Sequence, residues 1–174
     1  MRRLFSYTLF LSAVLASATA CTKEESAPQV EPFFSVTQNG NAWEPATITT
    51  YKSGNAFYLV SNKAAEANQT QELYLGFTVT NLRTPSVRLF SAVWTHSAAG
   101  KTVRDQFVNT NDPSTSSLQI TRLDTVQKVI EGRFDATLER STVYSQQKEL
   151  MQLTGGSFRV SYRDTLLPAY SNGR

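Results

Sequence analysis

The chain has 174 residues, of which 40% are hydrophobic, 18% charged and 11% aromatic, a globular composition that excludes a disordered or fibrous protein. Its formal net charge is +3, from 17 basic and 14 acidic residues; without Arg2 and Arg3, which lie in a segment read below as removed, 15 face 14, and +1 leaves no nucleic-acid footprint. One cysteine and one histidine exclude a disulfide framework, a thiolate zinc site and a histidine-rich metal centre, so no cofactor or metal is expected.

The first element is a leader. Arg2 and Arg3 form a positive head, Leu4 to Ala16 an apolar run that falls short of the roughly 20 residues a membrane-spanning helix needs, and Ala16-Ser17-Ala18-Thr19-Ala20 a small-residue exit. Head, short apolar core and small-residue exit describe a secretory signal peptide over residues 1–20. Ala18-Thr19-Ala20-Cys21 resembles the lipobox of bacterial lipoproteins. That resemblance implies cleavage before Cys21 and lipidation of Cys21 itself, with palmitate-type chains that hold the protein to a membrane. Each buried methylene contributes about 0.8 kcal/mol, so several acyl chains on one residue anchor a protein almost irreversibly. The lone thiol is then consumed by lipid. Thr22 stands where an inner-membrane retention signal would have Asp, and Lys23-Glu24-Glu25 looks like the export signal of surface lipoproteins in Bacteroidota-type bacteria. Residues 21–32 have the composition of a solvated tether. The resemblance thus implies a lipid-anchored outer-membrane protein displayed at the cell surface.

Residues 33–174 read as a single domain built from short β-rich runs between turn signals. Phe33 to Thr37 precedes Asn39-Gly40, the strongest short hairpin signal, and Trp43 follows it as a core residue. Thr47 to Tyr51 reaches the turn Ser53-Gly54-Asn55 and returns as Ala56 to Ser61. Lys63 to Gln71 is polar and reads as a loop or a single helical turn. Glu72 to Asn81 alternates, with Leu73, Leu75, Phe77 and Val79 on one side and Tyr74, Gly76, Thr78 and Thr80 on the other. Val87 to Trp94 is apolar on both sides, which predicts a central strand or a second surface that something covers. Thr95 to Ser117 reads as irregular, with one strand at Val103 to Val108. Leu118 to Leu123, Val126 to Glu139 and Thr154 to Tyr162 close the series. In the last two, Ile130, Gly132, Phe134, Ala136, Leu138, Phe158, Val160 and Tyr162 face inward; Glu131, Arg133, Asp135, Arg159 and Arg163 face water. The fold class expected is all-β: an antiparallel β-sandwich or flattened barrel of about 8–10 strands.

Phe-x-Val before Asn-Gly and Trp, the stretch Glu131-Gly132-Arg133-Phe134, and Thr154-Gly155-Gly156-Ser157-Phe158-Arg159-Val160 together resemble an all-β family of uncharacterised Bacteroidota outer-membrane lipoproteins. The resemblance spans Phe33 to Tyr162. It implies the β fold and the anchor, and it supplies no activity.

Several residue sets are candidates for chemistry. Glu131 and Asp135 share a strand face, but four residues at about 3.3 Å each put their Cα atoms roughly 13 Å apart, too far for a glycosidase pair. With Arg133, Arg159 and Arg163 near, cross-strand ion pairing explains them better. His96 with Asp105 lacks a nucleophile elbow, and a surface-loop histidine is the simpler reading. Asp105, Asn109, Asn111 and Asp112 offer oxygens to calcium without EF-hand spacing, and turn chemistry accounts for them equally. Among the aromatics Trp43, Tyr58, Tyr74, Phe90, Trp94 and Tyr144, the alternation places Trp94, Tyr58, Tyr74 and Phe90 as candidate ligand-stacking rings. Asp124-Thr125-Val126 and Asp164-Thr165-Leu166 resemble O-glycosylation acceptors of exported bacterial proteins, making Thr125 and Thr165 candidate modification sites. No catalytic residue is assigned. The expectation is a non-enzymatic binding or accessory module for a glycan or an envelope protein; the alternative is a small envelope hydrolase such as a glycosidase.

Overall fold

The first hairpin follows from two residues. Asn39 and Gly40 take φ of +47° and +83°, the left-handed conformation that a two-residue type I′ turn requires at both positions. They join β1 (Phe33–Gln38) to β2 (Asn41–Trp43), with Gln38 opposite Asn41. The computed structural model describes residues 31–65, 68–81, 87–98, 102–110 and 112–165; the leader, Cys21 and the tether up to residue 30 lie outside them, as does Asn111.

After β2 come β3 (Thr47–Ser53), β4 (Ala56–Ala64), β5 (Thr70–Val79), β6 (Val87–Ser97) and β7 (Val103–Asn109). A 3-10 turn at Pro113–Thr115 leads into β8 (Ser116–Asp124), β9 (Val129–Arg140), β10 (Leu150–Ser161) and the two-residue β11 (Arg163–Asp164). Strands make up 71% of the described residues and no α-helix occurs among them, so the fold is all-β. All eleven strands belong to one mixed sheet ordered β11-β3-β4-β5-β6-β7-β9-β10-β1-β2, with β8 also on β9. Every pairing is antiparallel except that of β11 with β3.

The sheet closes over itself, as a sandwich or flattened barrel does. Phe77 on β5 and Phe158 on β10 are four strand steps apart, which at about 4.8 Å per step is roughly 19 Å in a flat sheet. Their ring centroids lie 6.4 Å apart. Phe90–Phe134 and Phe57–Tyr162 also pack ring against ring in the interior, at 6.4 and 5.2 Å. The fold turns at β9, whose one edge is shared by β7 near Leu138–Arg140 and by β8 from Val129 to Ala136. Asn109, the last residue of β7, bridges that seam: its amide oxygen accepts from the Ala92 backbone N–H, and its Nδ2 donates to Ser116 Oγ at 3.1 Å.

The buried core is the one the alternation predicts, with Leu73, Leu75, Phe77 and Val79 from β5, the even positions Ile130 to Leu138 from β9, Phe158 and Val160 from β10, and Tyr162 directly after it. Two glycines shape it. Gly132 faces Phe158, and Phe134 faces Gly156, on neighbouring rungs of β9 and β10. A Cβ on Gly132 would sit 2.6 Å from the Phe158 ring, and one on Gly156 would sit 2.4 Å from the Phe134 ring. Each phenylalanine therefore lies flat over a glycine on the opposite strand. Gly155, at φ +61°, supplies the bulge that shifts the register between Leu153 and Gly156.

Two stretches differ from the sequence reading. The ends of Lys63 to Gln71 belong to strands instead of a loop or helical turn: β4 runs through Ala64 and β5 starts at Thr70, with Lys63 opposite Gln71 and Ala64 opposite Thr70. The pairing already established between Phe57–Asn62 and Glu72–Phe77 propagates outward, and ladder bonds outweigh weak local propensity. Thr95 to Ser117 is likewise more ordered than expected, because β6 extends to Ser97 and its end pairs with β7.

Candidate functional site

Hairpin arithmetic builds the site. The turn at Gly54-Asn55 sets Ser53 opposite Ala56 and hence Tyr51 opposite Tyr58. Across β4 and β5, Tyr58 then meets Gly76, and Val60 meets Tyr74. Since Phe57, Leu59, Leu73, Leu75 and Phe77 fill the core, the alternate set Tyr58, Val60 and Tyr74 must point outward. Three tyrosines from three adjacent strands thus share one outer face.

The rings are arranged unequally. Tyr51 is 39% exposed, whereas Tyr58 and Tyr74 are half-buried against each other, with centroids 6.2 Å apart and planes tilted by 32°. Tyr74 leans over Gly76, where a Cβ would lie 2.7 Å from its hydroxyl oxygen. Burial raises the Tyr74 phenol above its ordinary value of 10.0, and the neighbouring Tyr58 pushes it the same way. Around them the outward rungs are Thr49-Val60-Tyr74-Val93, Tyr51-Tyr58-Gly76-Ser91 and Ser53-Ala56-Thr78. These residues are uncharged, and charge enters at the margins, where exposed Arg163 of β11 pairs with Tyr51 and Glu72 stands on the next outward rung. Phenol hydroxyls, threonine and serine hydroxyls and flat ring faces suit a ligand that is itself neutral, hydroxylated and flat on one side.

The opposite outer face is charged. Both Glu131 oxygens are engaged by Arg159, Oε1 with Nε at 2.9 Å and Oε2 with Nη2 at 3.1 Å, while Arg122 Nη1 lies 3.4 Å from Oε1. Arg159 also covers the Phe33 ring at 5.5 Å. Asp135 Oδ1 accepts from the Gly155 N–H at 2.8 Å and so fixes the bulge. Glu131 and Asp135 border the same open depression of about 550 Å³ with Phe33, Arg133, Ser157 and Arg159. They are four positions apart along one strand, and their oxygens serve arginines and a backbone amide.

The remaining sequence candidates fall elsewhere. Trp94 is buried in the core, 7% exposed, beside Phe107 at 5.7 Å and His96 at 6.0 Å. Phe90 packs half-buried against that core and meets Phe134. Both face inward, because β6 pairs Trp94 with buried Leu73 and Phe90 with buried Phe77. Trp43 is core as well, its indole N–H donating to Gln71 Oε1 at 2.9 Å. Tyr144 stands 37% exposed in a turn, apart from the three tyrosines.

His96 lies in β6 opposite Asp105, a strand position instead of a surface loop. The two side chains take different partners: His96 Nε2 meets Gln69 Oε1 at 2.7 Å, and Asp105 pairs with Arg140 at 2.9 Å. The loop oxygens also diverge. Asn109 holds the seam, and Asp112 accepts from the Ser114 hydroxyl and N–H at 2.6 and 2.9 Å, which holds its carboxyl below the usual range. Thr125 is exposed in the β8–β9 turn, and half-buried Thr165 follows Asp164, which Lys128 of that same turn pairs with.

Sequence reasoning missed Tyr51. The signal was present in the turn, since a two-residue connection pairs positions equidistant from it. No family model, curated protein or solved structure matches the chain.

Proposed function

We propose that this protein is a lipid-anchored, non-enzymatic module of a bacterial outer membrane, tethered through Cys21, whose tyrosine face binds a neutral glycan. The basic head, short apolar run and lipobox-like Ala18-Thr19-Ala20-Cys21 support the anchor, and the likeness to Bacteroidota surface lipoproteins supports display outside the cell. The observation that carries the binding role is the trio Tyr51, Tyr58 and Tyr74 on adjacent outward rungs, with charge only at their margins in Arg163 and Glu72. Sugar rings present C–H faces to aromatic rings and hydroxyls to polar rims, and a charged group at the rim can hydrogen-bond a sugar hydroxyl without requiring the sugar to be charged.

Affinity electrophoresis of the purified protein through gels holding neutral polysaccharides tests this reading. Retardation should appear with at least one neutral polymer. Tyr51→Ala and Tyr58→Ala should each weaken it about three- to tenfold, the worth of one aromatic contact. Unaltered retardation in the double variant, or none with any polymer, overturns the assignment.

A further inference from the structure

The sheet that closes through β7 and β9 on one side stays open on the other, between two strand edges. β2 covers only the Val36–Gln38 part of β1, so among the described residues no strand lies beside the outer edge of Phe33–Ser35. β11 covers β3 only at Tyr51 and Lys52, so among the same residues the outer edge of Thr47–Thr50 is bare as well. A cleft of about 820 Å³ lies between these edges. Phe34, Ile48, Thr50 and Val160 line it, while Glu44 and Arg163, both exposed, stand at its rim. Thr50 is only 3% exposed, and its hydroxyl has no hydrogen-bond partner among the described residues.

We infer that this cleft is a strand-acceptor site that takes an extended peptide segment from a partner polypeptide. Two bare edges present backbone N–H and C=O groups in alternation, and only another peptide backbone in β conformation answers that pattern on both sides. The bare run Thr47–Thr50 is about 13 Å long, room for roughly four residues of the incoming strand. Because strand side chains alternate, one set points to Phe34, Ile48 and Val160 and must be apolar, with a hydroxyl-bearing residue next to Thr50. The other set points to water. Glu44 and Arg163 then favour a base at one end of the segment and an acid at the other. This site borders the tyrosine face at Thr49 and Arg163, but its recognition runs through strand edges and does not depend on the glycan reading.

The test is hydrogen exchange on the full-length protein with and without a synthetic peptide pool. Its members are about seven residues long, alternate Val or Ile with Thr or Ser, and carry Lys at one terminus and Glu at the other. Those amides of Phe33–Ser35 and Thr47–Thr50 that point away from β10 and β4 should exchange about tenfold more slowly with the pool present, and the same peptides with N-methylated backbones should lose that protection of the outward amides. Protection that survives N-methylation means side-chain docking and overturns strand addition. So does an absence of protection with the whole pool. Protection of those outward amides already present without peptide overturns the proposal too, whether it tracks with dimerisation or with the chain's own terminal segments.

Discussion

Gly155 and Gly156 are adjacent yet occupy their positions for different reasons. Gly156 has no room for a side chain, since a Cβ would meet the Phe134 ring at 2.4 Å; Gly155 has open space but a φ of +61°. Gly156→Ala should therefore lower stability by about 1–3 kcal/mol through overpacking. Gly155→Ala should cost about 1 kcal/mol through the left-handed backbone alone. Urea midpoints of the two variants separate these effects. Tyr74 offers a second residue-scale readout. Its phenol is pushed up by burial and by Tyr58, and burial foremost does the same to Tyr162, so ultraviolet titration should find two tyrosines ionising above the ordinary range. Tyr58→Phe should lower the Tyr74 value and leave part of the shift, because burial, the larger cause, persists. Both sites were half legible. Alternation placed Tyr58 and Tyr74 outside the core, but the same alternation could not place Trp94 and Phe90, since a strand apolar on both sides gives no sign of which side is dry.

At the scale of elements, turns written with Asn-Gly and Gly-Asn carry the register of the first two hairpins, and both were readable. The weak stretch Lys63 to Gln71 was not, because its strand character comes from the partner across the ladder. The β8–β9 turn illustrates an element held by charge. Asp124 Oδ1 accepts from the Gln127 and Val126 N–H groups at 2.8 and 3.0 Å, and Lys128 and Lys52 both pair with Asp164. The Gln127 bond foremost holds the Asp124 carboxyl low, and the Lys128 and Lys52 bonds do so for Asp164. A carboxyl with a lowered native value binds its proton less readily folded than unfolded. Its contribution is thus present above the ordinary carboxylate value of 3.8 and fades as pH falls through the lower native value. Thermal midpoints should hold steady down to about pH 5 and fall below about pH 4, and Asp164→Asn should make that decline shallower.

At the scale of the whole molecule, all-β architecture, the inward set of β5, β9 and β10 and the Asn39-Gly40 hairpin could be read from residue order. A sandwich or flattened barrel could be read as well, but the strand order could not, nor which rings meet across the interior, as Phe77 and Phe158 do. The bare edges of β1 and β3 were equally hidden, since an unpaired edge is a property of topology and leaves no mark on composition. The anchor has its own test: Cys21→Ser should abolish palmitate labelling and move the protein from the membrane to the soluble fraction.

The contrast between the two outer faces has a consequence for the surroundings in which the module works. Dissolved ions weaken attractions between opposite charges, and an uncharged sugar meeting Tyr51, Tyr58 and Tyr74 makes no such attraction even with Arg163 beside Tyr51. Adhesion through that face should hold its strength from dilute buffer to about 1 M sodium chloride, where the Debye length shrinks to about 3 Å. On the proposed glycan-binding role, a cell wearing such a module would keep its grip on a sugar coat whether bathed in fresh water or in brine.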